Sequence, residues 1–435
     1  MSSISIGLFG IGALLLMFLL RMPIAFAMAF VGFLGYAYLV SPAAAVNILI
    51  RDIFTEFSSY PLSVIPAFVL MGTYAFASGM SADLYRAAYI WLGWLRGGLI
   101  LATIAACSAF GAICGSCTAT TAAMGKIALP EMRKYRYDDA LSTGSLASAA
   151  TLALLIPPST ILIVYGILTE QSIGKLFIAG LIPGIILTLL MLVTTCIICL
   201  VWPSAAPASS TVTSFKDKVK SLAGVAEALL LFGLALGGLF AGLFTPTQAG
   251  SIGAAGALLI GLIKRQLNWQ RFIEANKEGV RISCMVLFLI TGAVIFGHFM
   301  AVSRIPEVLI NYIGHLAISP IAIMALLILF YFIAGCFIDA MALVVLTVPI
   351  VYPIVIELGF DPIWFGVMIV MASSLGVITP PVGVDVYVVK GIVPDVPLET
   401  IFKGIFPFLV PMIILIILLI GFPQLATFLP RFITW

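Results

Sequence analysis

Charged side chains are scarce in this sequence: only 9% of its 435 residues are Asp, Glu, Lys or Arg, whereas 63% are hydrophobic. No soluble core needs so much apolar surface. Apolar runs long enough to cross a bilayer recur along the whole chain, without the strict alternation of a transmembrane β-barrel. The composition therefore predicts an all-α polytopic membrane protein whose outer surface contacts the lipid bilayer.

The motifs of ATP-driven pumps and of common hydrolases are also missing. The sequence has no Gly-x-x-x-x-Gly-Lys-Ser/Thr loop, no His-Glu-x-x-His and no Gly-x-Ser-x-Gly. Two Cys-x-x-Cys pairs lie in apolar segments without partnering histidines, which favours membrane packing over a metal site. We expect no enzyme activity, no bound cofactor and, at a net charge of +3 with the basic residues in short loops, no nucleic-acid partner. Transport would then depend on an ion gradient or on the membrane potential.

Two proline pairs, Pro157-Pro158 and Pro380-Pro381, interrupt long apolar stretches 223 positions apart (380 − 157). Proline breaks the helical hydrogen-bond ladder, and lipid offers the freed backbone groups no partner. Such breaks survive where the backbone lines a cavity, and two breaks at matched places indicate the binding site of a secondary transporter.

Other landmarks recur at nearly the same offset, between 219 and 225 positions, which predicts an internal duplication. The matched landmarks are Met22-Pro23 with Thr245-Pro246, Gly115 with Gly335, Pro130 with Pro349, and Leu176-Phe177 with Ile401-Phe402.

The distribution of Lys and Arg predicts that the second half is inverted relative to the first. Segment 126–136 carries four basic residues, whereas its counterpart 350–362 has none; segment 264–281 carries five, against Arg51 alone in 41–57. By the positive-inside rule, corresponding loops then lie on opposite sides of the membrane. A parallel repeat with an accidental charge bias is the alternative.

We expect a first inverted repeat at 1–202, a cytoplasmic linker at 203–221 and a second inverted repeat at 222–435. Each repeat should contain a re-entrant hairpin (98–125 and 319–348) and a broken helix (138–168 and 362–393), as in an elevator-type transporter. Simple helices are expected at 4–20, 24–40, 62–78, 174–202, 222–243, 246–263, 281–303 and 398–421, and interfacial helices at 46–58, 81–97 and 268–280.

The first group of candidate ligands is a run of small and hydroxyl residues at 111–121. Gly115 would open the helix, and exposed carbonyls together with the Ser116 and Thr118 hydroxyls would suit a hard cation such as sodium. The alternative is close helix packing through small residues. At the second candidate, the run 156–160 with Pro157, Pro158 and Ser159, the half-helix that follows would point its positive dipole at an anion, unless the prolines only kink the chain.

The remaining candidates surround two carboxylates in apolar segments, Asp339 and Asp385. An unpaired carboxylate is costly in a membrane, so each needs a partner: a cation or, for Asp385, a structural pair with Lys390. His298, near the end of an apolar segment, either faces the solute or packs against a backbone carbonyl.

Taken together, these segments resemble the large membrane subunit of tripartite ATP-independent periplasmic (TRAP) transporters, the DctM type. The similar stretches span almost the whole chain: 114–116, 125–132, 156–159, 172–180, 242–247 and 378–383.

The resemblance implies a protein of the bacterial or archaeal inner membrane that pairs with a small four-helix subunit of the DctQ type. It also implies an extracytoplasmic solute-binding protein of the DctP type, sodium-driven uptake and substrates that are mostly small organic anions. The mechanism implied is an elevator, in which two hairpins and two broken helices carry the solute past a static scaffold.

Transferred to this chain, one sodium site joins the first hairpin tip to the first break, the second joins the other tip and break, and the solute lies between them. Two departures affect the solute site: Asp385 stands close to a position where the family often has an amide, and His298 near one where it often has Arg. The predicted sodium residues are Gly115, Ser116, Thr118, Pro157, Gly335, Asp339, Gly376, Thr379 and Pro380. The predicted solute residues are Ser116, Pro158, Ser159, His298, Pro381, Gly383 and Asp385.

The function expected is sodium-coupled import of a small carboxylate or sulfonate delivered by a binding protein. A stand-alone sodium/dicarboxylate-type carrier is the alternative within transport. An intramembrane enzyme is the alternative from another class, because Asp339, Asp385 and His298 are ionisable.

Overall fold

The computed structural model describes residues 2–207, 214–315 and 318–432, with side chains for all of these except 312–315. These residues form helices and connecting turns, with no strand among them. The prediction of an all-α polytopic protein is confirmed.

In the first half the helices are Ser3–Leu19, Ile24–Leu39, Pro42–Ser58, Val64–Ala77, Met80–Leu92, Gly98–Cys114, Cys117–Lys134, Asp139–Ala150, Leu152–Leu155, Thr160–Leu168 and Ile173–Val201. In the second half they are Phe215–Phe232, Gly238–Phe240, Pro246–Ile263, Trp269–Ser303, Ile305–His315, Pro320–Gly335, Ala340–Glu357, Pro362–Val377, Val384–Ile392, Leu398–Gly421 and Gln424–Thr427. Single turns occupy Pro61–Ser63, Gly233–Gly237 and Leu429–Phe432.

Within the described part of the chain, seven helical spans are long and apolar enough to cross a membrane. The helical segments Pro42–Ser58 and Pro61–Ala77 meet at a bend of 54°, and they form an eighth span if they are counted together. The chain is therefore a multi-pass membrane protein.

Two hairpins are formed where the sequence predicts them. Hairpin 1 has the arms Gly98–Cys114 and Cys117–Lys134, and hairpin 2 has the arms Pro320–Gly335 and Ala340–Glu357. The second arm of hairpin 1 continues beyond the predicted end at residue 125, because Pro130 lies within the helix without ending it.

The two broken helices lie at the centre of the fold. Broken helix 1 runs over 139–168 with its break at 156–159, and every residue from 141 to 166 is buried. Broken helix 2 runs over 362–392 with its break at 378–383, and every residue from Ile363 to Val377 is buried. The Tyr165 hydroxyl donates to the Pro362 carbonyl at 2.6 Å, and this hydrogen bond joins broken helix 1 to broken helix 2. The first break and the first arm of broken helix 2 are therefore buried inside the protein, whereas Pro381 in the second break is exposed.

Two predicted element boundaries are wrong: the one between 268–280 and 281–303, and the end of the linker 203–221. The expected interfacial helix at 268–280 and the span at 281–303 form one helix, Trp269–Ser303, about 52 Å long at 1.5 Å per residue. Nothing in 269–303 stops a helix, since charged residues such as those at 271–281 are good helix formers. The helix therefore extends well beyond a hydrocarbon layer of about 30 Å.

The expected linker 203–221 is helical from Phe215 onward, while residues 208–213 lie outside the described part. Lys218 lies over the rings of Trp91 and Trp94, 5.7 and 6.0 Å from their centroids, so this basic stretch packs against the helix Met80–Leu92 and the turn after it.

Helix Asp139–Ala150 meets helix Leu398–Gly421 at two glycines, Gly144 and Gly404. A Cβ atom on Gly404 would overlap the backbone carbonyl of Ala140, and one on Gly144 would overlap the backbone of Gly404. Backbone cannot move aside as a flexible side chain can, so this contact requires glycine on both helices.

We therefore predict that Gly404→Ala destabilises the protein by about 1–3 kcal/mol, the usual range for overpacking. The control is Gly421→Ala at the end of the same helix, where a Cβ meets no atom within 4 Å. Melting temperatures of the two purified variants in one detergent provide the measurement. Equal melting temperatures would contradict the close contact.

Candidate functional site

The tip of hairpin 1 contacts the first break directly. Gly115 ends the first arm with φ +63°, in the left-handed region that favours glycine, and Ser116 caps the second arm by accepting from the Ala119 amide at 3.4 Å. The Gly115 carbonyl accepts from the Thr160 amide at 3.3 Å and from the Thr160 hydroxyl at 3.0 Å. In a continuous helix, the Gly115 carbonyl and the Thr160 amide would each have a hydrogen-bond partner within the helix. Here they bond to each other.

The tip of hairpin 2 meets the second break in a matching way. The Val382 amide donates to the Cys336 carbonyl at 3.2 Å. This pair stands 221 and 222 positions after Gly115 and Thr160 (336 − 115 and 382 − 160), close to the offset of the proline pairs. Gly335 also packs on the second broken helix, where an added Cβ would lie 3.2 Å from Gly376 Cα.

A cavity of about 1330 Å³ lies where the two tips and the two breaks approach one another. Its wall draws on all four elements: Ser116, Cys117 and Thr118; Asp339, Ala340 and Met341; Thr160 and Ile161; Val377, Val384 and Asp385.

The charged residues of the cavity fall into two groups. Asp339 and Asp385 lie beside the tips and breaks, whereas Lys126 lies nine residues beyond Cys117, about 13 Å along the second arm of hairpin 1. Helix Trp269–Ser303 adds a mixed group from one face of its first turns: Arg271, Glu274, Lys277 and Glu278. The inner part is therefore acidic, and the part toward Lys126 carries both signs.

Asp385 is fully buried at the start of helix Val384–Ile392. Its Oδ2 accepts from the Cys117 thiol, and its Oδ1 has no hydrogen-bond partner among the described residues. The expected pair with Lys390 is not formed, because the Lys390 ammonium donates to the carbonyls of Pro394 and Val396 at 2.7 and 2.8 Å.

Asp339 has a structural role as well as a place in the wall. Its Oδ2 accepts from the amides of Met341 and Ala342 at 3.1 and 3.5 Å, which caps the second arm of hairpin 2. The Ser116 and Thr118 hydroxyls lie 3.3 Å apart on the opposite tip.

The other predicted residues support the site from behind rather than lining the cavity. Ser159 is fully buried and caps helix Thr160–Leu168 by accepting from Leu162 at 3.4 Å, and Thr379 donates to the Leu375 carbonyl at 2.6 Å. Outside the wall lie Gly115, Pro157, Pro158, Ser159, Gly335, Gly376, Thr379, Pro380, Pro381, Gly383 and His298.

The structure places His298, a predicted solute residue, outside the cavity wall. Its Nε2 lies 3.1 Å from Asp52 Oδ2, on the helix Pro42–Ser58, and its side chain is 44% exposed. Val286 and Leu289 of helix Trp269–Ser303 line the cavity. Because an α-helix has 3.6 residues per turn, His298 lies on a different face of this helix.

The family model of the DctM component of the tripartite ATP-independent periplasmic transporter matches residues 11–425. The chain belongs to the DctM family. It is 33% identical to the C4-dicarboxylate TRAP transporter large permease protein DctM of Pseudomonas aeruginosa, over 91% of this chain and 92% of that one. It is 32% identical to the sialic acid large permease SiaM of Vibrio cholerae, over 94% and 95% of the two chains. It is also 32% identical to the isethionate permease DctMQ of Oleidesulfovibrio alaskensis, over 97% of this chain and 65% of that longer protein.

Two solved transporters share the fold of this DctM-family chain. The YdaH transporter of Alcanivorax borkumensis superposes with a TM-score of 0.63 at 15% identity, over 89% of this chain and 90% of that one. MtrF of Neisseria gonorrhoeae gives 0.57 at 14% identity, over 87% and 84%.

Sequence reasoning gave no role to three residues of the cavity wall of this DctM-family chain. Cys117 and Thr160 lie within the candidate runs 111–121 and 156–160, but neither residue type indicates a hydrogen bond to a distant segment. Glu274 carried a usable signal, since it shares a helical face with Arg271, Lys277 and Glu278, but an interfacial helix explained that pattern equally well.

For His298→Ala we predict lower stability with an unchanged KM for the solute. The change removes the imidazole that lies 3.1 Å from Asp52 Oδ2, an atom with no hydrogen bond among the described residues, and losing such a half-exposed ion pair costs about 1 kcal/mol. His298→Gln, which keeps a donor, serves as the control. Melting temperature and uptake kinetics measured side by side decide the matter: a raised KM at an unchanged melting temperature would return His298 to the solute site.

Proposed function

We propose that this DctM-family chain is the large permease subunit of a three-component transporter of the cell inner membrane, and that it imports a small organic anion, a carboxylate or sulfonate, together with sodium. The observation that carries the proposal is the cavity lined by residues of both hairpin tips and by residues that flank both helix breaks. Broken helices facing a cavity supply carbonyl oxygens for cations and amide groups for anions, which few other arrangements in a membrane do.

The oxygen atoms near the first tip support sodium coupling. Ser116 and Thr118 contribute neighbouring hydroxyls, and the Gly115 carbonyl points across the tip to Thr160. Carbonyl, hydroxyl and carboxylate oxygens are the ligands that hard cations prefer. In the second half, the Thr379 hydroxyl and the carbonyls around Gly335 and Gly376 offer a similar set.

An anionic group would bind at the first turn of helix Thr160–Leu168. Thr160 and Ile161 lie in the cavity wall, and the first amides of a helix are unsatisfied by the helix itself. Ser159 satisfies the Leu162 amide and the Gly115 carbonyl satisfies the Thr160 amide, so the anion would bind at the Ile161 amide between them.

The distribution of charge supports an inward-open state of an elevator. The cavity reaches Lys126, Arg271 and Lys277, which belong to the basic segments that the positive-inside rule assigns to the cytoplasm. The hairpins and broken helices would move together as the carrier, and the bond between Tyr165 and Pro362 joins the two broken helices. The matched tip-to-break bonds in the two halves support their origin in an inverted repeat.

Two further components complete the proposed system. The DctMQ name of the longer isethionate relative supports a small membrane subunit of the DctQ type as the partner of this chain. A DctP-type extracytoplasmic protein would bind the solute and deliver it.

Proteoliposomes that contain this chain and its small subunit test the proposal. We predict uptake of the solute only when the binding protein is supplied outside and sodium is higher outside than inside. Collapsing the sodium gradient with an ionophore should abolish accumulation, and uptake that ignores the gradient would contradict sodium coupling.

The stand-alone sodium/dicarboxylate-type carrier remains the second candidate, because its proposed site would use the same hairpins and breaks. Omitting the binding protein and then the small subunit from the same proteoliposomes separates the two. Full uptake by this chain alone would favour the stand-alone carrier.

We predict that Ser116→Ala and Thr379→Ala each raise the sodium concentration needed for half-maximal uptake by about tenfold, the effect of losing roughly 1.4 kcal/mol of binding. Ser251→Ala is a matched control, since the Ser251 hydroxyl is exposed and donates to the Thr247 carbonyl at 2.9 Å in helix Pro246–Ile263. The sodium dependence of initial uptake rates is the readout, compared at equal protein levels. An unchanged dependence in both variants would remove these hydroxyls from the sodium sites.

A further inference from the structure

One fully buried carboxyl group in the cavity wall has no ion-pair partner among the described residues. Asp385 is 0% exposed and belongs to the cavity wall, and its Oδ1 has no hydrogen-bond partner among the described residues. Its other oxygen accepts only from the Cys117 thiol, a weak donor. A buried carboxylate in a membrane protein normally has a cationic or strongly donating partner.

No basic side chain of the described residues supplies that partner. Lys390, five positions along the same helix, donates its protons to the carbonyls of Pro394 and Val396. Lys126 lies about 13 Å from Cys117 along the arm of hairpin 1. Asp339 lies in the same wall and is close enough to interact electrostatically with Asp385, which adds negative charge.

A ligand with only negative charge is poorly matched to this end of the cavity. The acid group of such a ligand would bind at the first turn of helix Thr160–Leu168 and at the tip hydroxyls, while any group beside Asp385 would meet a carboxylate. An ammonium group there would supply the missing charge and donate to the free Oδ1. The nearest neighbour, the Cys117 sulfur, is a poor ligand for a hard ion such as sodium, so an organic cation fits this position better.

We propose that Asp385 binds a cationic nitrogen of the transported solute, so that the solute is a zwitterion that carries both an ammonium group and a carboxylate or sulfonate. This inference rests on the proposed function, because it assigns the second recognition element of the same site. It makes Asp385 the residue that selects amino acids or amino sulfonates over the corresponding hydroxy acids.

Matched pairs of compounds that differ only in ammonium versus hydroxyl test this assignment. The probes are taurine with isethionate, β-alanine with 3-hydroxypropanoate, aspartate with malate, and glutamate with 2-hydroxyglutarate. Each is titrated against the purified full chain with its small subunit, in saturating sodium, and the dissociation constant is obtained from the shift in melting temperature.

We expect the amino member of at least one pair to bind about 30-fold or more tightly than its hydroxy partner, as expected for a desolvated charge pair. Asp385→Asn should reduce that ratio to near one. The matched control is Asp361→Asn, the same change at a carboxylate that caps helix Pro362–Val377 away from the cavity wall, which should keep the preference.

Several outcomes would overturn the inference. They are equal or weaker binding of the amino member in all four pairs, a preference that survives Asp385→Asn, or a change in the sodium titration of that variant with the amine preference intact. The last outcome would make Asp385 a sodium ligand. If Asp385→Asn does not fold, the preference of the unaltered protein still decides, and Cys117→Ala, which removes the only donor to Asp385, should retain or increase it.

The results can reject the zwitterion proposal without rejecting the proposed transport function, and the reverse. Sodium-driven uptake of a hydroxy acid in proteoliposomes, with no preference for amines, would leave the transporter assignment in place and remove only the zwitterion. Loss of sodium dependence with a strong amine preference would do the reverse.

Discussion

The structure depends on how two interrupted helices satisfy their backbone groups without water. In each half the chain leaves the helix at a proline pair, and the nearby hairpin tip supplies the missing partner: the Gly115 carbonyl for Thr160, and the Cys336 carbonyl for Val382. Lipid cannot do this, so the hairpins and the broken helices must remain in contact. The burial of both broken helices and the place of the cavity follow from that requirement.

The same requirement explains why the site combines residues from distant parts of the chain. Residues of both hairpin tips and residues that flank both breaks line one cavity. Its wall combines hydroxyl groups, the start of helix Thr160–Leu168 and the carboxylates Asp339 and Asp385 with apolar side chains, and helix Trp269–Ser303 adds charges of both signs. A transporter of the DctM family needs such a mixture, because solute and ions must bind and leave without crossing lipid.

The breaks, the first hairpin turn and the membrane spans could be predicted from the sequence, because each depends on a few neighbouring residues. Proline pairs mark the breaks, Gly115 marks a turn with positive φ, and apolar runs mark the spans, each through the geometry of a few neighbouring residues. The pairing of Asp385 with Cys117 joins positions 268 residues apart, and the sequence holds no signal for it. His298, predicted at the solute site, lies outside the cavity wall for another reason. Which face of a long helix lines the cavity depends on how the helix packs, and composition alone does not define that packing.

The two ends of the cavity differ in charge. Asp339 and Asp385 lie beside the hairpin tips, and the basic residues stand farther along hairpin 1 and helix Trp269–Ser303. Charge of this kind restricts what can bind, because a desolvated carboxylate favours a partner of opposite sign. On the proposal made above, Asp385 would connect the architecture of the site to the choice of solute.

The most direct test of the account is a cryo-EM density map of the chain with its small subunit in a lipid nanodisc, with sodium and solute present. The account predicts breaks at 156–159 and 378–383 in contact with the two hairpin tips, and solute density between Ser116 and Asp385. Continuous helices at these positions that face the lipid, or solute density elsewhere in the protein, would contradict it.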